Sequence, residues 1–256
     1  MQDGSLIPRF GRARHDASLA VLEGLHPLKH ALRFGANVLE VACRDVRELH
    51  RLAGELAPDV CARIEALARQ VDPAVFDQLA PYSPSTGVIS IAARPPQNLA
   101  ALLSDPRRAP VVVLEDPRDL GNLGACVRVA AAADAAGVLS TGTHDPWHPD
   151  VLRGAAGLHF ALPVMRLADI EQLQDTKRPL LAIDPAGDPL VPAELPERAL
   201  LAFGTERYGL SEELGVRAEA RVSIPMRSGV SSLNLATSVA AVLFSWRLCR
   251  AAGAPA

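Results

Sequence analysis

The sequence predicts an α/β fold in which a six-stranded parallel sheet is covered by helices on both faces. After residue 110, short apolar runs alternate with helical patterns, and this alternation is typical of a parallel sheet. Residues 111–114 are all Val or Leu, as expected for a strand that is buried on both faces. The six predicted strands are residues 111–114, 138–141, 162–166, 180–183, 200–203 and 222–224.

A smaller α/β domain is predicted over residues 16–93. Apolar residues recur there at helical spacing in some segments and form short strand-like runs in others. Its predicted helices are residues 27–35, 46–57, 60–69 and 73–79, and its predicted strands are residues 38–42 and 87–92.

Two further segments complete the predicted organisation. Consecutive prolines, Pro95 and Pro96, end regular structure, so residues 94–107 are predicted to link the small domain to a second domain over residues 108–256. Residues 1–15 contain three arginines among small residues and are predicted to be a flexible tail. The alternative for this tail is an arm that touches RNA phosphates.

Composition excludes several classes of protein. No run of eighteen apolar residues is present to span a membrane, and the amino end lacks the apolar centre of a signal peptide. The four cysteines are far apart with no Cys-x-x-Cys pair, which indicates a reduced, cytoplasmic compartment and argues against structural zinc. With a formal net charge of −3, a nucleic-acid partner would need a local basic patch.

Three polar clusters follow predicted strands, and the carboxyl ends of parallel strands are where ligands bind in open α/β sheets. The richest is residues 223–245, where Pro225 ends a strand and an apolar helix is predicted from about Ser232. Ser231, Ser232 and Asn234 crowd its first turn. Capping needs one such residue and three are present, so a polar site is favoured over capping alone.

The other two clusters lie at residues 116–128 and 204–211. Asn122 is either a helix cap or a functional residue. Arg128 is the only charged residue of an alanine-rich helix and needs an acidic partner, a ligand anion or a path to water. Glu206, in a turn bracketed by Gly204 and Gly209, is its natural counterion, although a plain surface turn would also explain the glycines.

Several common sites are absent from the sequence. There is no Gly-x-Gly-x-x-Gly after the first strand of the sheet, no Walker loop and no Gly-x-Ser-x-Gly elbow. His144 and His148, with Asp145 and Asp150 nearby, allow a metal site, but a solvated loop is favoured because Pro146 separates the histidines. No metal is expected.

In order and spacing, the three clusters resemble the signature motifs of the SpoU (TrmH-type) RNA ribose 2′-O-methyltransferases of the SPOUT superfamily. The first motif is similar to Asn122-Leu123-Gly124 with Arg128, and the second to residues 203–211. The third and most specific is Ile224-Pro225-Met226 followed by Ser232-Leu233-Asn234. The small amino-terminal domain more loosely resembles the family's RNA-binding domain.

The resemblance implies a carboxy-terminal trefoil knot, a homodimer and S-adenosylmethionine as cofactor. It leaves open whether Asn122 and Arg128 act in their own subunit's site or in the partner's. The implied catalytic residues are Asn122, Arg128, Glu206, Ser232 and Asn234. The implied cofactor-binding residues are Thr141, Gly204, Ile224, Met226 and Leu233.

The function that follows is methyl transfer to a ribose 2′-hydroxyl of RNA. The extra amino-terminal domain favours ribosomal RNA over transfer RNA as the substrate. The alternatives are transfer-RNA ribose methylation, methylation of a base nitrogen, and a non-catalytic RNA-binding or ribosome-assembly protein on the same fold.

Overall fold

The computed structural model describes residues 5–174, 176–205 and 208–253. The chain divides into two compact units, which we call unit 1 (residues 1–96 and 147–161) and unit 2 (residues 97–146 and 162–256). The boundary predicted near residue 94 therefore lies close to the observed boundary between residues 96 and 97. The return of the chain to unit 1 over residues 147–161 was not predicted.

The elements in chain order are α1 (Leu6–Ala13), β1 (Leu19–Glu23), α2 (Leu25–Arg33), β2 (Val38–Cys43), α3 (Val46–Leu56), α4 (Cys61–Leu67), β3 (Ala68–Gln70), α5 (Pro73–Phe76), β4 (Val88–Ala93), α6 (Leu99–Ser104), β5 (Val111–Leu114), α7 (Leu120–Ala132), β6 (Gly137–Ser140), α8 (Pro149–Gly154), β7 (Val164–Arg166), β8 (Leu180–Pro189), β9 (Leu200–Phe203), α9 (Glu212–Arg217), β10 (Ala220–Ser223) and α10 (Leu235–Gly253). Short 3₁₀ turns lie at Leu158–Phe160, Ile170–Leu173 and Pro192–Glu194.

Unit 1 is built on a four-stranded mixed sheet in the order β1-β4-β2-β3. Successive side chains of a strand point to opposite faces. Accordingly Ala42 of β2 packs with α1 and α5 on one side, while Val41 and Cys43 pack with α2, α3 and α4 on the other. Both faces of this sheet are therefore covered by helices.

The prediction that residues 1–15 form an unstructured tail is wrong for α1. Leu6, Phe10 and Ala13 recur at helical spacing and are buried in the core of unit 1. Burying side chains such as Leu6 and Phe10 stabilises a fold by about 1.5–3 kcal/mol each. Pro8 is tolerated because the first turn of a helix has no intrahelical partner for its missing N–H.

The predicted linker is also more ordered than expected, because it contains α6. Asn98 caps this helix by accepting a hydrogen bond from the Ala101 N–H at 2.9 Å. The buried guanidinium of Arg178 donates to carbonyls at the end of α6, among them Leu103 at 3.1 Å and Asp105 at 3.0 Å. These bonds hold the end of α6 against the segment that precedes β8.

Unit 2 contains the predicted sheet of six strands, in the order β10-β8-β9-β5-β6-β7. Every neighbouring pair is parallel, so the predicted fold class is confirmed. All four residues of β5 are fully buried, as its composition indicates. Because all strands run in one direction, the carboxyl ends of β8, β9 and β10 lie at the same edge.

Helix α10 is long and apolar, and residues Leu235–Ala252 would suffice by length and composition to cross a membrane. Its inner face, which includes Val239, Val242 and Leu243, is buried in unit 2 and packs against α7. Only 28% of the Leu235–Ala252 stretch is buried within the chain. Much of an apolar helix is thus left exposed, including Phe244 and Leu248.

Candidate functional site

A cavity of about 300 Å³ lies at the carboxyl ends of β8, β9 and β10. We call it the strand-end cavity. Its walls come from a bulge within β8, from the ends of β9 and β10 with the segments that follow them, and from the first turns of α10. The lining residues are Ile183, Asp184, Pro185, Phe203, Gly204, Thr205, Gly209, Ile224, Met226, Ser231, Ser232, Leu233, Leu235 and Ser238.

The structure brings most of the predicted cofactor-binding residues to this cavity. Gly204, Ile224, Met226 and Leu233 all line it. Thr141 does not line it and lies instead at the end of β6, where its Oγ1 accepts a hydrogen bond from the Asp116 N–H at 3.0 Å. This bond holds the turn after β5, so the contact we find for Thr141 is a structural one.

The turn after β9 requires glycine at position 204. A Cβ added there would lie 2.1 Å from the carbonyl carbon of Gly209, which no side chain tolerates. Thr205 and Gly209 close the turn with paired backbone hydrogen bonds of 2.9 and 3.1 Å. Backbone groups therefore form this wall of the cavity. The predicted catalytic residue Glu206 and its neighbour Arg207 lie outside the described residues.

The segment between β10 and α10 differs from its prediction in where the helix begins. Helix α10 starts at Leu235 rather than near Ser232, and Asn234 caps it by accepting from the Thr237 N–H at 3.2 Å. Ser231 and Ser232 do not cap the helix but line the cavity. One residue performs the capping, and two hydroxyl groups are left for another purpose.

Two of the predicted catalytic residues contact each other. The Asn234 side-chain amide donates to the Asn122 side-chain carbonyl at 2.9 Å, which joins the first turn of α7 to the start of α10. Asn122 is not the cap of α7, because the Asp119 carboxylate accepts from the Asn122 N–H at 2.7 Å. The capping interpretation of Asn122 is therefore wrong.

Of the three environments considered for Arg128, the structure shows exposure to water. It is exposed on α7, whose opposite side buries Leu123, Val127 and Ala130. Among the described residues, none forms an ion pair or hydrogen bond with it. At 3.6 residues per turn, six positions separate its direction from that of Asn122 by about 120°, and Arg128 does not line the strand-end cavity.

Sequence reasoning missed the wall that β8 contributes. The register between β8 and β10 jumps from Arg221 opposite Ala182 to Val222 opposite Asp188, so residues 183–187 bulge out of the ladder. Ile183, Asp184 and Pro185 line the cavity as a result. The signal was present, since Asp-Pro-Ala-Gly at a strand end is typical of a turn.

In the part of the chain that the structure describes, no group of three or more His, Cys, Asp or Glu side chains is placed to hold a metal ion. His148, considered as a ligand, instead caps α8 by accepting from the Asp150 N–H at 3.2 Å. Cys43, Cys61, Cys126 and Cys249, all of which the structure describes, are not joined by disulfides.

Comparison with known proteins gives one match over the region that carries the three polar clusters and others over most of the chain. The family model described as the SpoU rRNA Methylase family matches residues 109–244. The chain is 30% identical over 239 residues to a 23S rRNA (adenosine(1067)-2′-O)-methyltransferase of Streptomyces azureus, covering 90% of this chain and 87% of that protein. It is 28% identical over 239 residues to a 23S rRNA (uridine(2479)-2′-O)-methyltransferase of Streptomyces viridochromogenes, covering 86% and 79%.

Solved structures agree with these matches. The SpoU methyltransferase AviRb of Streptomyces viridochromogenes, crystallised with AdoMet, aligns with a TM-score of 0.79 and 26% identity, covering 96% of this chain and 99% of that one. An RNA 2′-O ribose methyltransferase structure aligns with a TM-score of 0.72 and 27% identity, covering 95% and 96%.

Proposed function

Since the chain belongs to the SpoU rRNA methylase family, we propose that it transfers a methyl group from S-adenosylmethionine to a ribose 2′-hydroxyl of ribosomal RNA. The observation that carries this proposal is the strand-end cavity. It gathers residues from the second and third signature motifs, which follow different strands, around one space. The chain is an S-adenosylmethionine-dependent RNA 2′-O-methyltransferase.

The residues of the cavity fit S-adenosylmethionine. Phe203, Ile224 and Leu233 offer apolar surface for an adenine ring, and the hydroxyls of Ser231 and Ser232 offer polar contacts. Gly204 lets the backbone approach closely. A volume of about 300 Å³ is at the lower end of the usual range for small-molecule pockets. When bound, the cofactor supplies an electrophilic methyl group on a sulfonium.

We assign Arg128 to the RNA rather than to the cofactor. A guanidinium stays protonated in proteins, so Arg128 acts as a cation that holds a phosphate next to the target ribose and stabilises developing negative charge on the 2′-oxygen. Its exposure on α7 leaves it free to meet RNA. Glu206 orients this guanidinium in the proposal.

Asn122, Ser232 and Asn234 position the reacting groups. The hydrogen bond between Asn122 and Asn234 ties the third motif to α7. It holds the segment that carries Ser232, which lines the cavity. Alignment of the ribose hydroxyl with the methyl carbon and sulfur is the main demand of an in-line displacement, and such held groups meet it.

The protein acts as a homodimer in this proposal. The exposed Phe244 and Leu248 lie four residues apart on one face of α10, so a second copy could cover them. Asn122 is bonded to Asn234 of its own chain, whereas Arg128 points in a different direction and does not line the cavity of its own chain. In the proposal, Arg128 therefore enters the site of the partner subunit. A trefoil knot in unit 2 belongs to the same proposal, as does a cytoplasmic location.

The proposed substrate is large-subunit ribosomal RNA, by analogy with the two relatives named for 23S rRNA. These relatives modify different nucleotides, so the analogy extends to the class of RNA and not to the position. Unit 1 is the proposed RNA-binding domain. Transfer RNA is the competing substrate.

The test uses the purified protein with S-adenosylmethionine that is radiolabelled in the methyl group. Transcribed 23S rRNA and transfer RNA are the two substrates. We expect label in the ribosomal transcript, and after alkaline hydrolysis we expect it in dinucleotides, because a methylated 2′-oxygen cannot attack the adjacent phosphate. Label in mononucleotides would indicate base methylation, and absence of label with intact RNA binding would indicate a non-catalytic protein.

A further inference from the structure

Asp184 is the one charged side chain among the described residues that line the strand-end cavity. It lies in the bulge of β8 that residues 183–187 form. Its Oδ1 accepts a hydrogen bond from the Ala186 N–H at 2.9 Å, which fixes the side chain, and about a quarter of the side chain is exposed. Asp184 is therefore a held, mostly covered carboxylate in a cavity wall whose other described residues are uncharged.

The methyl donor and its product differ in charge. S-adenosylmethionine carries a sulfonium, an ammonium and a carboxylate, so it has one net positive charge. The demethylated product, S-adenosylhomocysteine, is a neutral thioether with no net charge. A carboxylate in the wall attracts the donor more than the product, and the attraction is stronger in a partly covered site than in water.

Arg221 weakens this field without cancelling it. Its Nη1 is 3.7 Å from the Asp184 Oδ2, which is too long for a hydrogen bond, and half of the Arg221 side chain is exposed. Ion pairs of this kind are screened by water and contribute little. Asp184 lines the cavity, whereas Arg221 does not.

From this arrangement we propose that Asp184 is a specificity-determining residue, which makes the cavity prefer the cationic methyl donor over the neutral product and so favours replacement of the product by a new donor. The proposal rests on the proposed function only in taking S-adenosylmethionine as the ligand of this cavity. It requires no contact between Asp184 and RNA and no role in the chemical step.

The experiment measures dissociation constants of S-adenosylmethionine and S-adenosylhomocysteine by calorimetry, without RNA, for the wild type and three variants. Asp184→Asn keeps the hydrogen-bond acceptor and removes the charge. We expect it to weaken donor binding about three- to tenfold while product binding changes less than twofold. Arg221→Gln removes the positive charge that lies near the Asp184 carboxylate. We expect it to increase the preference for the donor over the product.

Asp188→Asn is the matched control, because Asp188 lies on the same strand, is exposed and does not line the cavity. It removes the same charge and should leave both constants unchanged. If Asp184→Asn weakens donor and product equally, the carboxylate contacts a group that both share, such as the ribose, and the proposal is wrong. If the wild type binds neither ligand, the cofactor site itself is misassigned, which is a different failure.

Discussion

The polar side chains at the end of β1 in unit 1 and those that follow β10 in unit 2 differ in how many bonds they form with other side chains of the protein. Glu23, at the end of β1, is 8% exposed and forms ion pairs with Arg14 at 2.7 Å and Arg153 at 2.6 Å. Ser231 and Ser232 are exposed and form no hydrogen bond with another described residue through their side chains.

This difference separates a structural cluster from a site. A buried carboxylate that keeps two arginines occupied stabilises its unit and has little capacity left for a ligand. Hydroxyls such as those of Ser231 and Ser232, and the exposed guanidinium of Arg128, form no bond with another described residue and contribute little to folding, so a ligand can use them at little cost. Substitutions in the two clusters should accordingly affect different measurements.

Arg128→Ala should have the largest effect on activity. Loss of one cation that stabilises developing charge lowers kcat by about 100- to 1000-fold, while the affinity for S-adenosylmethionine stays nearly unchanged because Arg128 does not line the cavity. Single-turnover methylation and calorimetry measure the two effects. Arg108→Ala, which removes another exposed arginine of unit 2, is the control. Normal turnover of Arg128→Ala would contradict the role.

Glu23→Gln should have the opposite profile. Removal of the charge breaks the ion pairs of Glu23 with Arg14 and with Arg153, and because Arg153 is half exposed and keeps Asp150, it should lower the free energy of unfolding by only about 1.5–3 kcal/mol. Urea unfolding measures this change. Glu48→Gln, which breaks an exposed pair with Arg51, should hardly shift the midpoint. Weakened cofactor binding by the folded Glu23→Gln variant would erase the distinction between the clusters.

Gly204→Ala should damage the site while sparing the fold of unit 1. The added methyl group would meet the backbone of Gly209, so the turn must open. A misfit of this kind costs on the order of 1–3 kcal/mol, and we expect the affinity for S-adenosylmethionine to fall about tenfold or more. Gly54→Ala, where a Cβ meets nothing within 4 Å, should bind normally. Unchanged binding by Gly204→Ala would remove the turn from the site.

The smallest expected effect concerns pH and unit 1. Burial lowers the pKa of the His30 imidazole, and the hydrogen bond of its Nδ1 with the Ala156 carbonyl at 2.7 Å opposes this only in part. As the pH falls below about 6.5, the usual histidine value, the unfolded chain binds a proton that the folded chain disfavours, so stability declines.

The variant His30→Gln lacks this titrating group, and its stability should therefore fall less steeply over the same range of pH. Urea unfolding of the two proteins between pH 7 and pH 5 measures the slopes. Equal slopes would mean that His30 does not contribute to acid sensitivity.

Local pattern sufficed for the inner strands β5, β6 and β9 of unit 2, since each is a short, mostly apolar run that is buried throughout. It failed where distant residues decide the outcome. Residues 147–161 join unit 1 through contacts such as Arg153 with Glu23, which are 130 positions apart. Helix α1 was missed because its arginines and Pro8 obscured the spacing of Leu6 and Phe10.

The site was likewise predictable only where local sequence pattern determines its structure. Motif residues such as Gly204 and Ile224 follow strands, so their shared edge could be inferred from a parallel sheet. Asp184 could not be placed without the register jump between β8 and β10, which depends on pairing across the sheet. The hydrogen bond between Asn122 and Asn234 likewise joins residues 112 positions apart.

The most direct test of the central claim is mass mapping of ribose methylation in ribosomal RNA from a strain that lacks this protein. One 2′-O-methyl group should be missing, and it should return when the wild-type protein is supplied but not when Arg128→Ala is supplied. An identical methylation map with and without the protein would contradict the account.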